Sequence, residues 1–451
     1  MKRVLFIAYA FPPSGGAGVQ RTAKFVRYLP EFGWLPTVIT VAPTCYAIQD
    51  RSFEEFPKNV DVIRTPHVDP VARFARPRST NGNGSGSNGS HARLGVSGNL
   101  RKLARNGWIA LDRNLLVPDP AVLWCPVAIN AGLDQLFSRR FDLVYATGEP
   151  YSSYFTAMTL SRLSGVSFVI DMRDPWTLAP YRREVRSEAR IRLEKRQERR
   201  VLSECSAAIF ANRASDLYAE AFPQWANKFH YIPNGYDSAD FQGIEPKRFD
   251  KLTMVHTGTF LPGYRTADTF LTALRQLIDA KPELRRGLQV ILVGKIGDEQ
   301  SAIARLSLGD TVLQTGYLAH KESIAHLKGA DLLLLIGGEE RWEETGKIYE
   351  YMATGKPILA VVNPAGSAAE ILRSYKAAAI VDRNNVVEVH AALGHLIAGD
   401  QHAPAGDTDW ASRFERRALT ATLADTLEQC VRVSNEPRTE LSGSRAEVHP
   451  S

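Results

Sequence analysis

Short apolar runs recur along this chain, each followed by a turn and then by a stretch whose apolar residues fall at helical spacing. Residues 4–10 form the first run and predict a buried strand. A Pro/Gly loop follows, and Val19, Phe25, Val26 and Leu29 then mark one face of a helix that stops near Gly33. Residues 36–41 predict a second strand. Strand, loop, helix, strand within this length is the opening of a parallel sheet. The alternation continues with strands at 141–147, 167–171 and 207–211, helices at 151–163 and 182–203, and a short strand running into a turn at 230–235. Near 247–251 the pattern restarts. Strands are predicted at 252–256, 288–293, 311–315, 331–336 and 357–362, with helices at 266–280, 321–328 and 347–354.

Two interruptions set the boundaries. Residues 76–98 are rich in Gly, Ser and Asn and nearly free of large apolar groups, which predicts a disordered insertion inside the first array rather than a linker. A helix at 410–433 is long enough to cross back over the first array, and residues 434–451 are polar and expected to fray. The expected fold is α/β, with two Rossmann-like doubly wound domains facing a central cleft. Their expected spans are 1–245 and 246–409, followed by the crossing helix and a disordered tail. Ligands of such sheets sit outside the carboxyl ends of the strands.

Composition narrows the class. The 451 residues suit two or three domains, and 44% hydrophobic with 23% charged residues is ordinary for a soluble globular protein. The four cysteines (Cys45, Cys125, Cys205, Cys430) lie far apart and lack metal-ligand spacing, so they read as reduced thiols in a cytoplasmic setting. The apolar run after Met1-Lys2-Arg3 is cut by Pro12-Pro13 and reads as a first strand rather than a signal peptide. No window suits a membrane span. A net charge of +6 fits phosphate-bearing substrates or peripheral contact with an anionic membrane, and is too weak to argue for nucleic acid.

Candidate chemistry sits at the predicted strand ends. Pro12-Pro13-Ser14-Gly15-Gly16-Ala17-Gly18 joins the first strand to the first helix, where glycines let backbone N–H groups approach a phosphate or sugar. The same loop is equally consistent with a tight turn that holds nothing. At 346–357 a helix begins near Gly346, which leaves its first N–H groups free for a pyrophosphate, with Lys347 as an added cation. Glu350, about one turn further on, is a carboxylate able to accept from both hydroxyls of a ribose.

These motifs occur in a telling order. The opening from Pro12 to Trp34, Thr147-Gly148-Glu149-Pro150, Asp171-Met172-Arg173-Asp174-Pro175-Trp176, Pro233-Asn234-Gly235-Tyr236-Asp237, His256-Thr257-Gly258-Thr259 and the run from Gly346 to Pro357 together resemble the family 4 glycosyltransferases, which have the GT-B fold. The Asp171–Trp176 stretch resembles a bacterial polysaccharide subgroup. The resemblance covers residue 1 to about 430. It implies a retaining transferase that takes a sugar from a nucleoside diphosphate-sugar co-substrate and passes it to a hydroxyl of a polysaccharide or lipid-linked oligosaccharide. The implied setting is cell-envelope synthesis at the inner face of the cytoplasmic membrane.

The resemblance also implies roles. On the donor side stand Gly15, Gly16, Gly258, Arg265, Lys295, Glu343, Glu344, Gly346, Lys347 and Glu350, with the acceptor lying over the Gly15-Gly16 loop. Asp171 or Asp174 would orient or deprotonate the acceptor hydroxyl, with Arg173 beside them; a structural Arg173–Asp174 ion pair is the alternative. Glu149 and Trp176 are placed on the acceptor side. No metal or other cofactor is expected, since no DxD-type acidic pair stands in a suitable loop.

The sequence departs from the family in two places. Trp342 stands eight positions before Glu350, near where the family has a sugar-contacting glutamate, so Glu343 or Glu344 would have to serve. Thr259 replaces a phosphate-binding arginine, leaving Arg265 and Lys295 to supply the charge. A catalytically degenerate partner subunit and a nucleotide-sugar epimerase therefore stay open as alternatives. The basic run within 182–203 reads either as a solvated face with i,i+4 pairs or as a docking face for anionic lipid.

Overall fold

A computed structural model describes residues 1–15, 17–45, 50, 60–67, 116–180, 186–261, 263–294, 297, 299–399 and 408–435. The insertion expected at 76–98, the chain beyond 435, and the candidate residues Gly16 and Lys295 lie outside the described residues.

Seven parallel strands form the first sheet, in the order β3-β2-β1-β4-β5-β6-β7. They are β1 (Lys2–Ile7), β2 (Trp34–Val41), β3 (Asp61–Thr65), β4 (Leu143–Gly148), β5 (Phe168–Met172), β6 (Ala207–Phe210) and β7 (Phe229–Tyr231). Because strand side chains alternate, each strand feeds two cores. Leu5, Ile7, Val144, Ile170 and Phe210 face one side, where helices α2 (Cys125–Ser138), α3 (Ser152–Ser164), α4 (Glu188–Glu204) and α5 (Ala214–Ala221) cover them. Val4, Phe6, Leu143, Val169 and Ile209 face the other, against α1 (Ala17–Tyr28). Apolar residues on both faces of the central strands are what a doubly covered parallel sheet requires.

The second sheet repeats the plan in six strands, order β10-β9-β8-β11-β12-β13. These are β8 (Leu252–Thr257), β9 (Leu288–Val293), β10 (Val312–Gly316), β11 (Leu332–Ile336), β12 (Ile358–Val362) and β13 (Ala378–Asp382). Helices α6 (Asp268–Ala280), α7 (Glu299–Arg305) and α11 (Val386–Ala398) pack on one face. Helices α8 (His320–Gly329), α9 (Lys347–Ala353) and α10 (Ser367–Arg373) pack on the other. In both sheets the strand order reverses beside the first strand of the array, between β1 and β4 and between β8 and β11, and these switch points are where such sheets open a crevice.

The single helix expected at 410–433 is two. Helix α12 (Thr408–Ser412) belongs to the second array through Ala411, and α13 (Arg416–Asn435) lies on the first sheet through Leu419, Leu423, Ala424, Leu427, Cys430 and Val431. Phe414, between them, stacks near Tyr349 at 4.9 Å, and its carbonyl accepts from the Tyr236 N–H at 3.1 Å. The break lets one short stretch satisfy both arrays. The architecture is two Rossmann-like α/β domains facing a cleft.

Candidate active site

The cleft holds a cavity of about 770 Å³ whose walls come from both arrays. From the second array, Thr257 ends β8 and Gly258 and Thr259 follow it, Gly294 follows β9, and Thr345 and Gly346 lead into Lys347 and Glu350 at the start of α9. All of these are strand-end loops or the helix directly behind one, which is where the sheet topology directs a ligand. The β8 and β9 loops touch backbone to backbone: the Gly258 N–H donates to Val293 O at 2.9 Å. Gly294 has φ +128°, and a Cβ there would lie 1.9 Å from Gly258 O, so only glycine fits.

The cations and carboxylates of this wall are already matched. The Lys347 ammonium donates to Glu350 Oε2 at 2.8 Å, one helical turn apart. Burial pushes the Glu350 carboxyl up, but Lys347 and then His320 outweigh it and hold it below the usual carboxylate range. Arg265, also on the cavity wall, pairs with Glu343. Glu343 Oε2 is buried with no hydrogen-bond partner. Glu344 is different: it accepts from Tyr231 (2.8 Å), Tyr349 (2.9 Å) and Ser367 (2.7 Å). Saturated by three hydroxyls, it ties β7 to the second array rather than facing a donor. Trp342 packs into the core beside the first sheet, so its place in the sequence pattern is structural.

On the first-array side the expectations need more correction. Asp171, at the end of β5, is fully buried and gripped by Arg21 through contacts of 2.9 and 3.1 Å, while Arg21 also donates to Pro233 O at 2.8 Å. It is a structural anion, not an open base. Arg173 makes no ion pair with Asp174; its guanidinium donates to the Gly148 and Glu149 carbonyls and lies against Gly18. Trp176 is 1% exposed, stacked on Tyr151 at 5.0 Å, with its indole N–H donating to Glu194. It is core and does not meet an acceptor. Asp174 is half-buried, and burial raises its carboxyl, with Arg173 and then Arg265 pulling the other way. Glu149 is exposed on the loop after β4, and Gly15, on the loop after β1, does not line the cavity.

Four residues in and around the cleft were assigned no role by the sequence: Gln20, His320, His256 and Arg416. Gln20 of α1 meets His320 of α8 across the cleft at 3.2 Å. His256, next to last in β8, is buried, stacks on Phe260 at 4.7 Å and contacts Leu334 O through Nδ1 at 2.9 Å; burial drops its pKa to about 4. Arg416 opens α13 and lines the cavity. No motif marks Arg416, because its position follows from the break before α13. The basic face of α4 keeps Arg192, Lys195, Arg196, Arg199 and Arg200 exposed, while Arg190, Glu194 and Glu198 point inward. Among the described residues, no cluster suits a metal ion and no helix is long and apolar enough to cross a membrane.

Comparison with known proteins fits this geometry. Residues 251–399 match the family model described as glycosyl transferases group 1. No curated protein sequence matches the chain. Among solved structures, HepE of Anabaena in complex with UDP-glucose is 17% identical, covers 95% of this chain and 100% of its own, and superposes with a TM-score of 0.60. Sucrose-phosphate synthase of Thermosynechococcus elongatus is 14% identical over 96% of this chain and 100% of its own, with a TM-score of 0.65. The lipopolysaccharide outer core galactosyltransferase WaaB is 11% identical over 95% and 99%, at 0.56. At these identities the likeness is one of fold: the chain has the GT-B architecture.

Proposed function

We propose that this chain is a glycosyltransferase, moving a sugar from a nucleoside diphosphate-sugar to a hydroxyl acceptor. The observation that carries the reading is the pair Lys347–Glu350 at the start of α9, set in the cavity wall beside the Gly258 loop. An ionised, buried carboxylate suits a ribose diol, and the adjacent ammonium suits a phosphate. The match of 251–399 to glycosyl transferases group 1 supports a donor site in this half, and the UDP-glucose complex of HepE supports a nucleoside diphosphate-sugar as the donor. Residues 246–409 are then the donor domain and 1–245 the acceptor domain. Glu343, with Oε2 unpartnered, is the better candidate for a sugar hydroxyl than the saturated Glu344.

Charge gathering on the leaving phosphate would be met by Lys347 and Arg265, in a cleft where preorganised donors count most. Arg265 would have to share itself between Glu343 and the phosphate. Asp174 is the first-domain carboxylate proposed to orient the acceptor hydroxyl. Retention of configuration, transfer to a polysaccharide or lipid-linked acceptor, and docking of the exposed α4 cations on an anionic membrane extend the same reading. The test is release of nucleoside diphosphate from a panel of UDP-, GDP-, ADP- and TDP-sugars, with membrane extract supplying acceptors. Release from one donor by the wild type and not by Glu350→Ala is the expected result. No release from any donor, by folded protein, would favour a subunit that keeps the fold without the chemistry.

A further inference from the structure

Arg416 is 4% exposed, and its main chain is firmly held. Its N–H donates to Tyr236 O at 2.8 Å, and its carbonyl accepts from Thr420 at 2.7 Å. The side chain is not held in the same way. Nη1 is buried with no hydrogen-bond partner, and no carboxylate stands within ion-pair distance of the guanidinium among the described residues. Neighbouring cations are all matched: Arg21 with Asp171, Lys24 with Asp237 and Asp240, Lys347 with Glu350, Arg265 with Glu343.

Burial, and then the like charge of Arg21, pull the Arg416 pKa down to about 10, so the group stays cationic near neutral pH. A buried charge without a partner is unfavourable, and this one opens onto the cavity. An anion entering the cleft would relieve it. A guanidinium presents a planar fork of donors that suits phosphate oxygens. The cavity already carries Lys347, whose charge is shared with Glu350, so a diphosphate would find Arg416 the cation with the most unmatched charge.

We propose that Arg416 is an anion-binding residue of the cleft, taking a phosphate oxygen of a diphosphate group. Identifying that group as the donor's diphosphate rests on the donor-site reading above. Arg416 begins the helix that lies on the first sheet, while the cavity it enters is built largely by loops of the second. Binding would therefore fasten the crossing helix to the donor.

Calorimetric titration of inorganic pyrophosphate, and separately of UDP, GDP, ADP and TDP, into wild type, Arg416→Met and Arg416→Lys tests this. Pyrophosphate is expected to bind R416M about ten- to a hundredfold more weakly than wild type, with R416K between them. R416M should melt no lower than wild type, since an apolar side chain of similar length replaces an unpaired buried cation. Equal pyrophosphate affinity in wild type and R416M, or none in wild type, overturns the inference. Should R416M fail to fold, Arg416→Gln is read in the same way; loss of fold in both makes Arg416 a structural prop and overturns it too. If no nucleotide binds while the pyrophosphate contrast holds, the donor reading alone fails. If a nucleotide binds wild type and R416M alike, the Arg416 assignment alone fails.

Discussion

At the scale of single residues, Asp171 and Asp174 differ in what surrounds them. Asp171 ends a central strand and is clasped by Arg21, whereas Asp174 stands past the strand end with Arg265 across the cleft. Asp171→Asn should leave Arg21 buried without its counter-ion and cost about 3 kcal/mol in a denaturant melt. Asp174→Asn should leave that melt nearly unchanged and lower transfer instead. His256 gives a pH signature. Its folded pKa of about 4 lies below the ordinary 6.5, so the unfolded chain takes up the proton first. Stability is therefore full above pH 6.5 and declines as pH falls toward 4, by an upper bound of about 3 kcal/mol. His256→Asn, which keeps a donor for Leu334 O, should flatten that decline in melts from pH 7 to 4.

At the scale of elements, what was legible followed from period and punctuation. The central strands of both sheets carry apolar residues on both faces, so their runs stand out, and Gly33 with φ +82° ends the first helical stretch where glycine predicted it. Not every element was predicted: β3 offers only Val62 and Ile63 as apolar residues, while β13, α2 and α11 were missed although each is largely apolar. Contacts among candidate residues were legible where the spacing is local, as in Lys347–Glu350 within one turn. They were not where partners lie far apart in sequence: Arg21 and Asp171 meet across 150 positions, and Trp176 finds its acceptor on the inward Glu194 of a helix that looks solvated. The β8 and β9 loops offer a test at this scale. Gly294→Ala should push its Cβ into Gly258 O, lower the melting temperature and weaken nucleotide binding together, although residue 294 carries no side chain to contact a ligand.

At the scale of the whole molecule, specific ties couple the two arrays. Glu344 gathers hydroxyls from both, Gln20 meets His320, and the chain between α12 and α13 is pinned by Tyr236. Leu423 on α13 is fully buried against the first sheet, far along the helix from the cleft. Leu423→Ala should cost about 3 kcal/mol through the cavity it leaves. It should also weaken pyrophosphate binding, because loosening α13 loosens Arg416. A variant that lost stability with undiminished pyrophosphate affinity would separate the helix from the site.

The central claim is a nucleotide-sugar donor site at the start of α9. A thermal-shift series with UDP, GDP, ADP and TDP, run on wild type and Glu350→Ala, tests it most directly. At about 100 times its dissociation constant, a nucleotide should stabilise the wild type by about 2.7 kcal/mol. The account predicts a clear rise in melting temperature with one of the four, lost in Glu350→Ala. A wild type that melts at one temperature in all four, or a Glu350→Ala variant that keeps the full shift, would contradict it.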